Sequence, residues 1–183
     1  MKIKFKPHQK YVIDFFKNYD PPGVLLYHGL GSGKTITAIG ICELYKKKVI
    51  CIVPASMRTQ WVQELEKVGV NKSKYRIFSY ENFSKNVNST QELDDKIFII
   101  DEAHRIRNNG KITESITNFT KKAFKIILLS GTPMVNHPLD FANLANVIYK
   151  QKLLPTSQNK FEEKFMTLES KNPPAESKKC SLY

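Results

Sequence analysis

Short runs of consecutive apolar residues alternate along this chain with longer stretches in which apolar residues recur at helical spacing. The strand-like runs are Val24 to Tyr27, Val49 to Val53, Tyr75 to Ser79, Lys96 to Asp101 and Phe124 to Leu129. Between them, Thr35 to Tyr45 has a broad apolar side made of Ala38, Ile39, Ile41, Cys42 and Leu44. Met57 to Val68 places Trp61, Leu65 and Val68 on one face, and both segments read as helices. Ile112 to Thr120 and Leu139 to Tyr149, the latter opened by Pro138, read as two more. Residues 84–96, rich in Ser, Asn and Gln and then acidic, read as a loop or a frayed helix. Uninterrupted apolar strands are expected where helices cover both faces of a sheet. Strands alternating with helices argue for a mainly parallel α/β domain. Beyond residue 150 the pattern weakens: Phe161 to Leu168 reads as one short helix, and Lys171 to Tyr183 is polar, with Pro173-Pro174. The expected division is a domain over residues 1–150 and a short helix with a polar tail over residues 151–183.

Composition narrows the class. The chain has 183 residues, 41% of them hydrophobic and 25% charged, enough for one domain with a sizeable core. No stretch approaches the ~18 apolar residues of a membrane span, and the basic start Met1 to Lys6 lacks the apolar run of a signal peptide. The formal net charge is +12, from 29 Lys and Arg against 17 Asp and Glu. Such a surface attracts polyanions. Only Arg58, Arg76, Arg105 and Arg107 are arginines, however, and a lysine bias of this kind also arises from base composition. Charge alone therefore assigns no function. Cys42, Cys51 and Cys180 have no paired spacing for a metal or disulfides. Cys42 and Cys51 sit in apolar segments as expected core thiols, and an intracellular, cytoplasmic location is the expectation.

The densest chemical signal is His28-Gly29-Leu30-Gly31-Ser32-Gly33-Lys34-Thr35, between a predicted strand and a predicted helix. That is the context of a phosphate-binding loop. Its glycines let successive N–H groups turn inward onto phosphate oxygens, and the helix N-terminus behind them adds positive potential. Gly29, Gly31, Ser32 and Gly33 would form the cradle, Lys34 would reach the β- and γ-phosphates, and Thr35 would bind magnesium. His28 stands where the strict pattern has Gly. The second signal is Asp101-Glu102-Ala103-His104, at the carboxyl end of the strand from Lys96, where ligands of open parallel sheets bind. Asp101 is expected to hold magnesium through its water shell and Glu102 to orient and deprotonate the attacking water.

These two signals and four others, in collinear order over about residues 5–150, resemble the first RecA-like lobe of superfamily 2 helicases and translocases. The resemblance is nearest the Swi/Snf-type branch and the helicase-like ATPases of large DNA viruses. Lys6-Pro7-His8-Gln9 with Phe15 resembles the adenine-reading glutamine motif. Ile52-Val53-Pro54-Ala55-Ser56 with Gln60-Trp61 and Glu64 resembles the next motif and its helix, and Phe78-Ser79-Tyr80-Glu81 a strand-end word. Asp101 to Arg107 with Asn108 extends the acidic motif. Leu129-Ser130-Gly131-Thr132-Pro133, with Asn136 and Leu139, resembles the coupling motif.

The resemblance implies a catalytic set of Lys34, Asp101, Glu102 and His104, with ATP and Mg as cofactors. It implies that Gln9 recognises the adenine edge, and that Pro54, Ala55 and Ser56, extended by Ser79 and Tyr80, touch a nucleic-acid backbone without reading bases. Ser130, Gly131 and Thr132 would couple nucleotide state to that track, with Ser130 and Thr132 sensing the acidic motif through His104. DNA is expected over RNA. Trp61 is expected in the core rather than as a base stacker, and Lys46-Lys47-Lys48 as a solvated helix end. Arg105 and Arg107 read equally as ligand contacts or an exposed basic loop.

Motors of this family use a second lobe that carries an arginine finger, and no second sheet can be drawn from residues 151–183. The expected function is therefore an ATP-hydrolysing lobe, weak alone or completed by a partner carrying the second lobe, with a nuclease as another expected partner. The alternatives are a nucleotide- or nucleic-acid-binding module without turnover, and a remnant of a larger gene.

Overall fold

The computed structural model describes residues 4–29, 31–86, 93–106, 110–132 and 138–166. Leu30, Arg107, Asn108, Pro133, Asn136, Leu168 at the expected end of the last helix, and the polar segment 171–183 with Cys180 lie outside the described residues.

Five strands, β1 (Gly23–Tyr27), β2 (Val49–Val53), β3 (Tyr75–Ser79), β4 (Ile97–Asp101) and β5 (Lys125–Ser130), form one all-parallel sheet in the order β1-β5-β4-β2-β3. Each expected strand is found, to within a residue at either end. β2, β4 and β5 are buried along their whole length, as expected of strands covered on both sides.

Side-chain alternation splits the core into two layers. Val49, Cys51, Val53, Ile97, Ile99, Ile127 and Leu129 face one side, where α1 (Pro7–Tyr19), α2 (Lys34–Cys42) and α3 (Arg58–Val68) supply Ile13, Phe16, Ile39, Trp61 and Leu65. Ile50, Ile52, Phe98, Ile100, Ile126 and Leu128 face the other, under α4 (Tyr80–Asn86), α5 (Lys111–Thr120) and α6 (Leu139–Tyr149). The architecture is a three-layer α/β/α domain of RecA-like type. Cys42 and Cys51 are buried free thiols. No helix among the described residues is long and apolar enough to cross a membrane.

Two helices depart from the sequence expectation. α1 was not anticipated because its apolar stripe is narrow: only Gln9, Ile13 and Phe16 are buried, while Tyr11 and Tyr19 are 76% and 73% exposed. Pro7 at its first position fits a helix start. α4 begins at Tyr80, directly off β3, earlier than any helix expected here, and its run to Asn86 takes the helical rather than the loop alternative for the first residues of the 84–96 segment. Tyr80 and Phe83 are its buried anchors. Past α6, Asn146 exchanges two hydrogen bonds with the Leu154 backbone, of 2.8 and 2.7 Å, which tie residues 151–154 back onto the lobe. α7 (Gln158–Phe165) follows, three residues ahead of its expected start.

Candidate functional site

In an all-parallel sheet every strand ends on the same rim. Here β1 and β4 flank β5, so the glycine-rich loop after β1, the acids closing β4 and the Ser130 turn after β5 share one edge. The register sets their heights: Tyr27 pairs with Ser130, and Asp101 with Leu129.

The loop turns through two left-handed glycines, Gly31 (φ 73°) and Gly33 (φ 83°), into the N-terminus of α2. At Gly33 the left-handed φ disfavours any side chain, and a Cβ would sit 2.3 Å from Gln9 Nε2, so the Gln9 amide would have to move aside. Cβ positions at Gly29 and Gly31 meet nothing within 4 Å, so the outer side of the loop is open. Lys34 folds over the loop, its Nζ donating to the carbonyls of His28 (2.7 Å) and Gly29 (3.2 Å). Thr35 is half-buried in the first turn of α2.

α1 braces the loop from behind. Gln9, 3% exposed, accepts from the Lys6 backbone N–H at 2.9 Å and donates from Nε2 to the carbonyls of Ser32 and Gly33, both at 3.4 Å. The Gln9 amide, implied by resemblance to read adenine, thus holds the loop in this structure. His8 reaches the Ser32 carbonyl at 3.1 Å, and its ring meets that of His28 edge-on at 5.8 Å. Burial, followed by the nearby His8 and Lys34, lowers the pKa of His28 below its ordinary value. His28 Nδ1 and Ser32 Oγ are buried without partners, two polar atoms left unsatisfied at the cradle.

Asp101 shares strand parity with Ile97 and Ile99, which turns its carboxylate to the side of α2 and α3. It is 3% exposed. Oδ2 accepts from Trp61 Nε1 at 2.8 Å and Oδ1 from the Glu102 backbone N–H at 2.9 Å. Burial raises its pKa above the ordinary carboxylate value, against the opposing pull of Trp61, the Glu102 N–H and Lys34. The Asp101 carboxylate, desolvated and within electrostatic reach of Lys34, is a hard oxygen donor of the kind divalent cations take. No group of three or more His, Cys, Asp or Glu arranged for a metal exists among the described residues.

The chain then kinks. Glu102 adopts φ 52°, a left-handed conformation unusual for a residue with a side chain, and leads into a 3-10 turn over Ala103–Ile106. His104 Nδ1 lies 3.2 Å from Glu102 Oε2 and 3.4 Å from Ser130 Oγ. Ser130 Oγ in turn accepts from the Thr132 N–H at 3.1 Å. The structure therefore brings Glu102, His104, Ser130 and Thr132 into one chain of contacts.

Along the rim, Pro54 is half-buried, and Ala55 and Ser56 are exposed in a 3-10 turn over Ala55–Met57 that closes β2. Ser79 and Tyr80 lie elsewhere than on the surface: they are 4% and 2% exposed. Ser79 Oγ accepts from the Asn82 N–H at the start of α4. The Tyr80 hydroxyl donates to the carbonyls of Asp101 (2.6 Å) and Glu102 (3.3 Å), and Arg105 stacks on its ring at 4.9 Å.

Sequence reasoning placed Trp61 in the core, where it is, but missed its hydrogen bond to Asp101. The available signal was general: a buried indole N–H needs an acceptor. The pairing of His8 with His28 was also missed, because the helix that presents His8 was.

Residues 2–135 match the protein family described as "Type III restriction enzyme, res subunit". The chain is 36% identical over 168 residues to the putative ATP-dependent RNA helicase L538 of Acanthamoeba polyphaga mimivirus, a match covering 89% of this chain and 36% of that protein. It is 31% identical over 165 residues to the early transcription factor 70 kDa subunit of Fowlpox virus, covering 78% and 26%. It is 26% identical over 178 residues to the DNA annealing helicase and endonuclease ZRANB3 of Bos taurus, covering 83% and 16%. The chain thus spans about a third or less of each of these relatives. With its RecA-like sheet and its loop and acid motifs on one rim, the chain belongs to this res-subunit family and is a first RecA-like lobe of the superfamily 2 helicase kind.

Proposed function

We propose that this lobe binds and hydrolyses ATP in a nucleic-acid-dependent helicase or translocase. One observation carries the reading: Lys34, Asp101, Glu102, His104 and Ser130 converge on one rim of the sheet, with His104 between Glu102 and Ser130. The names of the relatives, which include ATP-dependent RNA helicases and a DNA annealing helicase, support the same class.

In this reading the N–H groups of Gly29 to Gly33 take up the phosphates, and Lys34 leaves the His28 and Gly29 carbonyls for the β- and γ-phosphate oxygens. Thr35 and Asp101 would hold magnesium, which would supply positive charge against the phosphate oxygens. Glu102 orients a water on the γ-phosphorus and accepts its proton as the bond to the ADP oxygen breaks. His104 fixes the Glu102 carboxylate. Gln9 turns to the adenine edge, giving up two long contacts of 3.4 Å. Pro54, Ala55 and Ser56 meet the nucleic-acid backbone from the rim, while Ser79 and Tyr80 shape that track from within. Ser130, Gly131 and Thr132 relay nucleotide state across it. A second RecA-like lobe, from the same polypeptide or a partner chain, closes the cleft. It brings an arginine worth on the order of 1,000- to 100,000-fold in related phosphoryl transfer, so the lobe alone turns over slowly.

The test is magnesium-dependent phosphate release from ATP by wild type and Lys34→Ala. Wild type is expected above the variant; equal rates would remove the hydrolytic reading. Assays with DNA and RNA, single- and double-stranded, assign the nucleic acid. The Swi/Snf resemblance favours DNA.

A further inference from the structure

Trp61 is the sole tryptophan of the chain and is 1% exposed. It belongs to the buried cluster that includes Leu65 and Val68 of α3, Val49, Cys51 and Val53 of β2, and Ile97 and Ile99 of β4. Apolar volume alone could come from Phe with no N–H to satisfy. What Trp adds is a donor, and that donor ends 2.8 Å from Oδ2 of Asp101, forty positions away in sequence and itself buried. The other oxygen, Oδ1, is taken by the Glu102 N–H. Each carboxylate oxygen is thus fixed by one donor, which sets the plane of the group and the direction of its remaining lone pairs. α3 starts at Arg58, immediately after the Ala55–Met57 turn in which Ala55 and Ser56 are exposed, so the helix carrying the donor is continuous with the rim.

We propose that Trp61 is a positioning residue: its N–H fixes the Asp101 carboxylate for a magnesium–nucleotide complex, and its emission therefore reports the arrival of that complex. The proposal rests on the reading of Asp101 as the magnesium-holding acid, and it does not require hydrolysis.

The experiment titrates magnesium against a fluorescent ADP analogue bound to wild type and to Trp61→Phe, with melting followed in parallel. A hydrogen bond to a charged group has the weight to shift the half-saturating magnesium concentration upward by about tenfold or more. Affinity for the analogue in EDTA should stay unchanged. A merely structural role would shift both affinities or neither. An unchanged magnesium requirement overturns the proposal, whatever the melting temperature does.

Should Trp61→Phe fail to fold, wild-type tryptophan emission decides. It should change when magnesium joins the ADP complex and stay constant with ADP in EDTA; indifference to magnesium overturns the proposal. Magnesium-dependent binding without turnover in wild type defeats the hydrolytic reading and leaves this one standing. Absence of binding defeats both.

Discussion

Nδ1 of His104 lies 3.2 Å from Oε2 of Glu102. The hydrogen-bond partner of the same ring nitrogen is Ser130 Oγ at 3.4 Å, so one ring atom joins the end of β4 to the end of β5. Ser130→Ala should remove about 1 kcal/mol of support, a roughly fivefold loss in nucleic-acid-stimulated turnover. Nucleotide affinity should be unaffected. Steady-state ATPase assays alongside analogue binding check both.

Glu102→Gln keeps the shape of the side chain and removes its basicity. Turnover should fall by about 100- to 10,000-fold, while ATP and magnesium still bind. Equal loss of binding and rate would assign Glu102 to binding rather than to proton transfer.

Tyr80→Phe tests what holds Glu102 in its left-handed conformation. The variant leaves the Asp101 and Glu102 carbonyls without the Tyr80 hydroxyl, which donates to them at 2.6 and 3.3 Å. The expected cost is about 1–3 kcal/mol in denaturant unfolding, with a loss of turnover at saturating ATP. Because the side chain is 2% exposed, salt dependence of nucleic-acid binding should not change. A loss confined to nucleic-acid affinity would instead give Tyr80 a direct contact.

Gly23 marks a close approach. A Cβ there would stand 2.2 Å from the Ile126 carbonyl oxygen across the β1–β5 ladder. Relief requires backbone movement, so Gly23→Ala should lower stability by about 1–3 kcal/mol or more, measured by urea unfolding. It should also weaken nucleotide binding, because β1 leads into the loop.

Acid stability has a defined contributor. The hydrogen bond from Lys125, then that from the Tyr45 hydroxyl, lowers the Asp20 carboxyl below its ordinary value of 3.8. A depressed folded-state pKa means stability present above the unfolded value and lost as pH falls through the folded one. Wild type should therefore lose stability on acidification below about pH 4, and Asp20→Asn should show a shallower dependence there in pH-dependent unfolding.

Much of this fold is legible in the sequence because its signals are local. Val49 to Val53 and Ile97 to Ile100 are unbroken apolar runs, and such runs specify buried parallel strands. The loop from Gly29 to Thr35 and the acids after Ile100 announce themselves by residue type and by position at strand ends. What was hidden depends on tertiary geometry. α1 buries three side chains and spends Gln9 on the loop, so its periodicity is faint. Ser79 and Tyr80 close β3 as a surface word would, yet α4 starts there and turns Tyr80 inward. The bond from Trp61 to Asp101 spans α3 and β4, and neither residue alone signals the other.

The central claim is that nucleic acid and ATP turnover meet on this lobe. The most direct measurement is magnesium-dependent ATP turnover by the chain, with and without nucleic acid, and with a second-lobe partner added if one is captured, for wild type and Lys34→Ala side by side. The prediction is slow turnover that rises with nucleic acid in wild type and is abolished in the variant. A rate indifferent to nucleic acid and equal in the two proteins would contradict it.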